Sequence, residues 1–278
     1  MYCWYTNRIQ NMDSPPEKDP SLSRRAYDYL QRKLISGELR SGSMVSEQSV
    51  ATEIGMSRTP VREAIRALEQ DGVLEQLPRF GTRVRTLERR DLEELYELRE
   101  AMEPFAVVKA AKAALPEDVL SLGRVCEEIQ TMAGELRKSK VPSLDAAQMQ
   151  RLLSADLGFH LMLLRVAGNQ RMMKIVSESR LLTGIFGTQR QAHTAPVLEQ
   201  TYREHRVILE AVERGDGKAA GRAMTQHIRA SRKQALDAYD HDQSHHNSRL
   251  LPLAMPQQLL AEIDRIEARR AKVPKTRR

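Results

Sequence analysis

The sequence predicts a mainly α protein, a small helical module that ends in a β-hairpin followed by an all-α bundle. Three observations carry this expectation. Aromatic residues make up only 4% of the 278 residues and glycines number only 14, while leucine, alanine and methionine are abundant, a composition that suits helices better than sheets. Short apolar segments bounded by turn residues stand out at residues 73–86. From Asp91 onward, apolar residues recur at helical spacing almost without interruption.

Residues 1–20 are polar, contain Pro15, Pro16 and Pro20, and read as a flexible arm. The fold is expected to begin near Ser21. Leu22, Ala26, Tyr29, Leu30 and Leu34 make a helical stripe that stops at Ser36-Gly37, and Leu39–Ser43 is a short turn. Ser46 is placed to cap a second helix through Val50, Ala51 and Ile54, which Gly55 ends. A third helix starts at Thr59-Pro60, with Thr59 as N-cap, and runs to Asp71-Gly72. Val61, Ala64, Ile65 and Leu68 share one of its faces, while Arg58, Arg62 and Arg66, four apart, line another. Val73–Leu77 and Thr82–Thr86 then read as two strands around Pro78-Arg79-Phe80-Gly81. Residues 21–86 thus form a helix-turn-helix with a β-hairpin wing, the arrangement that places a recognition helix in the major groove. Guanidinium groups suit that role because they pair with guanine edges and bind phosphates. The competing reading is a solvated amphipathic helix whose arginines pair with Glu63 and Glu69.

In the second part, residues 91–240, the first long helix runs from Asp91 to Leu115-Pro116 and the second from Pro116 to Glu135. Lys138 to Asp145 reads as a loop. A third helix spans 146–167 and ends at Gly168-Asn169, with Asn169 as its C-cap; another runs from Gln170 toward Gly187. After a loop through Pro196 come Val197–Arg214 and Asp216–Tyr239. Residues 241–278 read as a basic, solvated tail containing His241, His245 and His246, with a short helix marked by Leu259, Ile263 and Ile266.

The hydrophobic fraction of 41% with 29% charged residues excludes wholesale disorder and a collagen-like chain. No apolar run approaches the ~18 residues of a membrane helix, and MYCWYTNRIQ lacks the apolar core of a secretory signal. A cytoplasmic location without a membrane partner is expected. Two cysteines, Cys3 and Cys126, give no basis for a disulfide framework or a cysteine metal site. The net charge of +7 is unevenly spread: residues 21–90 carry 13 basic and 9 acidic side chains, 91–248 carry 21 and 22, and 249–278 carry 8 and 3. Basic excess in a small module points to a polyanion partner.

Against that reading of the residues, Gly37-Glu38-Leu39-Arg40-Ser41-Gly42, Glu47, Ala51, Ile54 through Ile65, Leu68, Asp71-Gly72 and Gly81-Thr82-Arg83-Val84 resemble the winged helix-turn-helix of the GntR family of bacterial transcription regulators. The resemblance implies that Arg58 and Arg62 contact base edges, Thr59 a phosphate, and Gly81 at the wing tip the minor groove. Gln48 stands where some members have a DNA-contacting arginine. Arg66 on the helix and Arg79 in the wing turn complete the candidate DNA-binding set.

In the bundle, Asp156 and His160 are four apart and project from one helix face, as two ligands of one metal must. His205 lies ten residues before Gly215 and His227 twelve after it. In an antiparallel helical hairpin they stand nearly level, offset by roughly 3 Å. The four residues form an N₃O₁ set suited to Zn²⁺, Ni²⁺ or Mn²⁺. Glu97-Leu98-Arg99 with Glu103, Asp156 through His160, Gly168-Asn169, Glu204-His205, Met224 and His227 resemble the FCD domain, the ligand-sensing bundle of the FadR subfamily. The resemblance implies that Asp156, His160, His205 and His227 ligate a divalent cation, that a small organic acid coordinates it, and that Arg99 contacts this effector; the other reading of Arg99 is a helix-surface ion pair with Glu103. The expected function is a ligand-responsive homodimeric regulator, a repressor, that binds a pseudo-palindromic DNA operator and is not an enzyme. Two alternatives stay open: a metal-dependent enzyme, and a DNA-binding protein whose bundle is purely structural. No Gly-rich phosphate loop, nucleophile elbow or HExxH motif is present.

Overall fold

The computed structural model describes residues 21–188 and 193–250, with side chains described through Gly187 and from His193 to Asp242. Helix α1 (Leu22–Ile35) begins where the Ser21 hydroxyl accepts the Arg24 amide, and buries Ala26, Tyr27, Leu30 and Leu34. Ser46 accepts the Ser49 amide to open α2 (Glu47–Ile54), which Gly55 closes in the left-handed conformation at φ 66°. Helix α3 (Arg58–Gln70) starts two residues earlier than expected: Ser57, not Thr59, occupies the N-cap position, and its side chain makes no capping hydrogen bond. The burial of Val61, Ala64, Ile65 and Leu68 packs α3 against α1. The Tyr27 hydroxyl donates to Asp71 at 2.7 Å beneath them.

The wing is β2 (Leu74–Leu77) and β3 (Gly81–Val84), antiparallel with Leu77 opposite Gly81, so each strand is shorter than its sequence pattern suggests. Arg79 and Gly81 both have positive φ, 71° and 96°, which lets the Pro78-Arg79-Phe80 loop close tightly. A third strand that periodicity did not reveal, β1 (Met44–Val45), pairs with the other side of β3 in the order β1-β3-β2. Two residues are too few to show an alternation.

The bundle helices are α4 (Arg89–Ala113), α5 (Pro116–Ser139), α6 (Ala146–Val166), α7 (Gln170–Thr188), α8 (Ala195–Glu213) and α9 (Gly217–Leu250). Capping side chains fix several starts: Asp91 accepts the Glu88 amide, Asp118 the Leu115 amide, and Asp145 with Gln148 closes a reciprocal capping box. Asn169 does not cap the end of α6 as expected. Its Oδ1 accepts the Met172 amide, so it opens α7 instead. Helix α9 passes the expected end at Tyr239 and continues to Leu250, so the first ten residues of the expected tail are helical. His241 is exposed; the side chains of His245 and His246, the remainder of the tail, and the arm over residues 1–20 lie outside the described residues.

The described chain up to Tyr239 is one compact unit. Helix α6 touches α4, α5 and α7, and α5 lies along α8. Helix α1 also packs against α6 and α7, which brings the winged module onto the bundle. Among the described residues no helix is long and apolar enough to cross a membrane.

Candidate metal centre and nucleic-acid interface

Helix α6 is buried along most of its length, and Asp156 and His160 sit one turn apart on it. His205 from α8 and His227 from α9 face them across the interior. The two helices meet at Gly215, whose positive φ of 68° makes the turn, and the Asp216 carboxylate accepts the Ala219 amide at the start of α9. The imidazole centroids of His205 and His227 are 4.9 Å apart, and that of His160 is 5.1 Å from each. One ligand atom from each of Asp156, His160, His205 and His227 lies within 4.8 Å of all the others. Donors at ~2.1 Å around one ion stand roughly 3 to 4 Å apart, so this cluster is close to a coordination shell. Asp156 Oδ1 is 3.4 Å from His205 Nε2 and 3.9 Å from His160 Nε2.

The surroundings aim the rings. His227 Nδ1 is 2.7 Å from Glu204 Oε2, a contact in which Nδ1–H donates and Nε2 is left as a lone-pair donor to the centre. His160 Nδ1 is 2.7 Å from Glu103 Oε2, but off the line of a straight hydrogen bond. Phe159 stacks on His205 at 4.2 Å, with the ring planes 10° apart. Both ring nitrogens of His160 and of His205 are buried without a hydrogen bond. Leaving such groups unsatisfied costs ~1 to 3 kcal/mol each. Buried imidazole nitrogens converging with a carboxylate fit a divalent cation in donor type and number.

Electrostatics set the protonation that ligation needs. Burial first, then the charge of Arg180, pushes His160 well below its ordinary pKa. Burial likewise pulls His205 down from 6.5 to about 4, against the opposing pull of Asp156. Both imidazoles are therefore neutral near pH 7. Burial alone would raise Asp156, but the close approach of His205 and the charge of Arg180 outweigh it and hold the carboxyl well below the usual range.

Arg180 on α7, which the sequence reading missed, ties this region together. Its guanidinium donates to both Glu103 oxygens at 2.7 to 3.1 Å and to Asp156 Oδ2 at 3.0 Å. Nothing in the local pattern Ser-Glu-Ser-Arg marks it as buried, since a charged helical residue ordinarily faces water. Arg99 was expected to be either an effector contact or a helix-surface ion pair. It does pair with Glu103, at 3.0 Å, but inside the protein at 4% exposure, and it also donates to Thr183 at 3.2 Å. A cavity opens beside the cluster, lined among others by Arg99, Arg180, Asp156 and His227; His160 and His205 lie behind it.

The winged module presents its candidate residues differently. Gln48, Arg58, Thr59, Arg62, Arg66, Arg79 and Gly81 are all exposed. The recognition-helix arginines do not pair with Glu63 and Glu69. Glu63 accepts Ser23 and Glu69 accepts Thr82, while Arg58 and Arg62 share Glu47 on α2, each at 3.0 Å. The Arg62 hydrogen bonds, helped by those of Arg58, hold the Glu47 carboxyl below its usual range. Two guanidiniums against one carboxylate leave a net positive edge on this exposed face of the module.

Comparison with known proteins matches both halves. Residues 22–84 match the model of bacterial regulatory proteins of the gntR family, and residues 94–230 match the FCD domain model. The chain is 29% identical over 210 residues to a probable D-xylose utilization operon transcriptional repressor of Paenarthrobacter nicotinovorans, covering 76% of this chain and 87% of that one. It is 30% identical over 122 residues to an uncharacterized HTH-type transcriptional regulator in the TAR-I ttuE-ttuC' intergenic region of Agrobacterium vitis, covering 44% of this chain and 71% of that one. The solved structure of E. coli McbR/YncC shares the fold, with a TM-score of 0.65 at 21% identity over 80% of this chain and 100% of that one. With a winged module and a helical bundle each matched over nearly its whole length, the chain belongs to the GntR family of bacterial transcription regulators, among the members that carry an FCD domain.

Proposed function

We propose that this regulator is a homodimeric repressor of a pseudo-palindromic double-stranded DNA operator, released by a small organic acid bound at a divalent ion that Asp156, His160, His205 and His227 hold. The observation that carries the sensing half is the convergence of three imidazoles and a carboxylate, with buried ring nitrogens unsatisfied, beside a cavity edged by two arginines. When bound, the ion supplies a Lewis-acidic centre that accepts an anionic oxygen. The charges agree. Asp156, Glu103 and Glu204 against Arg99 and Arg180 leave one net negative charge beside the neutral His160 and His205, and a divalent ion reverses the sign in favour of an anion. Zn²⁺, Ni²⁺ and Mn²⁺ suit the donor set.

On the DNA side, Arg58 and Arg62 read base edges, Thr59 and Arg66 steady the phosphates, and Gln48, Arg79 and Gly81 touch the flanking groove. One short recognition helix reads too few base pairs for useful specificity, which favours a dimer on two half-sites. Relatives named as repressors, of D-xylose utilization in Paenarthrobacter nicotinovorans and of a gluconate operon in Bacillus licheniformis, support the sign of control. The family membership sets aside the metal-dependent enzyme.

The test is selection of duplexes from a random pool by the metal-loaded protein, followed by titration of the complex with citrate, tartrate and gluconate. Two half-sites related by a twofold axis, released by at least one acid only when metal is present, are expected. Single half-sites, or release indifferent to metal, would contradict the proposal.

A further inference from the structure

The cavity beside the metal cluster is not walled by the bundle alone. Gln31 belongs to α1, in the DNA-binding module, yet it is 2% exposed and lines the same cavity as Arg99, Asp156, Arg180 and His227. Its placement follows from the packing of α1 against α6 and α7. Helix α6 brings Asp156, and α7 brings Arg180 and Thr183. On α7, Leu182 faces away from these, toward the winged module: a Cβ at Gly72, the turn after α3, would meet its methyl at 3.8 Å. Leu181 and Thr183, its neighbours, line the cavity. The helix is thus in contact with the pocket through one face and with the DNA-binding module through the other.

We infer that the effector site is composite, completed by the Gln31 carboxamide of the DNA-binding module, so that an anion seated on the metal side of the cavity touches α1 directly. This rests on the reading of the cavity as the effector site and deepens it. A carboxamide offers two N–H donors and a carbonyl acceptor, so it accommodates the carboxylate or hydroxyl end of an organic acid that a hydrophobic wall would reject. The consequence is energetic. A ligand shifts an equilibrium between module placements only by its difference in affinity for them. A ligand that contacts α1 acquires such a difference in the contact itself, because any displacement of α1 from the bundle removes one of its hydrogen-bonding partners. Coupling then needs no relay through the bundle core.

The test uses the full chain loaded with Zn²⁺ and, as probes, citrate, tartrate, gluconate and malonate. Affinity is measured by calorimetry and the hydrogen exchange of peptides covering α1 by mass spectrometry, in wild type, Gln31→Glu and Gln31→Met. Gln31→Glu sets a negative charge against the anion; Gln31→Met keeps the volume and removes the polar group. At least one acid is expected to bind wild type and to slow exchange in α1 several-fold. Gln31→Glu should weaken that binding by at least tenfold and Gln31→Met abolish the α1 protection, while Zn²⁺ content in both variants and the unfolding midpoint of Gln31→Met stay as in wild type. If an acid binds both variants as tightly as wild type, or protects only α6 to α9, the composite site is wrong and the effector pocket stands. If no acid binds the Zn²⁺-loaded wild type, the pocket reading itself fails and takes the inference with it. Loss of Zn²⁺ or of folding in both variants would assign Gln31 to packing and overturn the inference as well.

Discussion

The winged module and the bundle spend their charged residues in opposite ways. The module sets Arg58, Arg62, Arg66 and Arg79 in solvent, steadied at most by one shared carboxylate, Glu47. The bundle sinks Arg99, Glu103, Arg180 and three imidazoles into its interior. Exposed charge is inexpensive to hold and free to meet an outside partner, as a DNA-reading surface needs. Buried charge is costly unless every group has a partner, and it is tolerated where it organises a site. The difference teaches where each half of the regulator holds its candidate site: the module on its surface, the bundle in its core.

The sharpest way to break this comparison is to remove a buried charge. Arg180→Leu strips Glu103 and Asp156 of a shared partner and is expected to destabilise folding by roughly 3 to 5 kcal/mol, read by urea unfolding. A cost near zero would show that the buried network is not tightly coupled. Chelation is next in size. An ion present at ~100 times its dissociation constant stabilises the native state by about 3 kcal/mol. EDTA should therefore lower the unfolding midpoint of wild type and leave that of Asp156→Ala unchanged.

Substitutions in the module should affect binding rather than folding. Arg62→Ala is expected to weaken binding to a duplex selected by wild type by roughly 10- to 100-fold, measured by fluorescence anisotropy, with the unfolding midpoint unmoved. A shifted midpoint with unchanged DNA affinity would turn that assignment around. The smallest effect concerns acid. Because Glu47 has a folded-state pKa below the ordinary 4.5, its stabilisation is fully present above 4.5 and is lost as the pH falls from there through the lowered folded-state pKa. It amounts to less than about 1 kcal/mol. The acid-unfolding curve of Glu47→Gln should accordingly lie close to that of wild type, and a large separation would mean the surface cluster carries structural weight.

The two halves also differed in how much the sequence disclosed. The module is written in local signals: Ser46 and Gly55 bound α2, and Pro78 through Gly81 mark the wing. Its candidate DNA-contacting groups were visible as a stripe because arginine at every fourth position has a meaning within one helix. The two-residue β1, the start of α3 and the ends of the two wing strands escaped, since none of them leaves a periodic trace. In the bundle, the helices were legible from apolar periodicity, but α5 passes the expected Glu135 and runs to Ser139, α8 begins at Ala195 rather than Val197, and α9 continues past Tyr239. The convergence of Asp156, His160, His205 and His227 was legible through their spacing and their level across the Gly215 turn. Arg180 and Gln31 were not. Their importance lies in long-range packing, Arg180 across to α4 and α6 and Gln31 from another module altogether, and no spacing within a helix encodes that.

The central claim is that the bundle holds a sensing metal, and elemental analysis of the purified protein, wild type beside His205→Ala, tests it most directly. About one divalent ion per chain in wild type, lost in the variant while the helical circular dichroism is retained, is the expected result. No ion in wild type, even after dialysis against Zn²⁺, Ni²⁺ and Mn²⁺, would contradict it and reduce the bundle to a structural partner of the DNA-binding module.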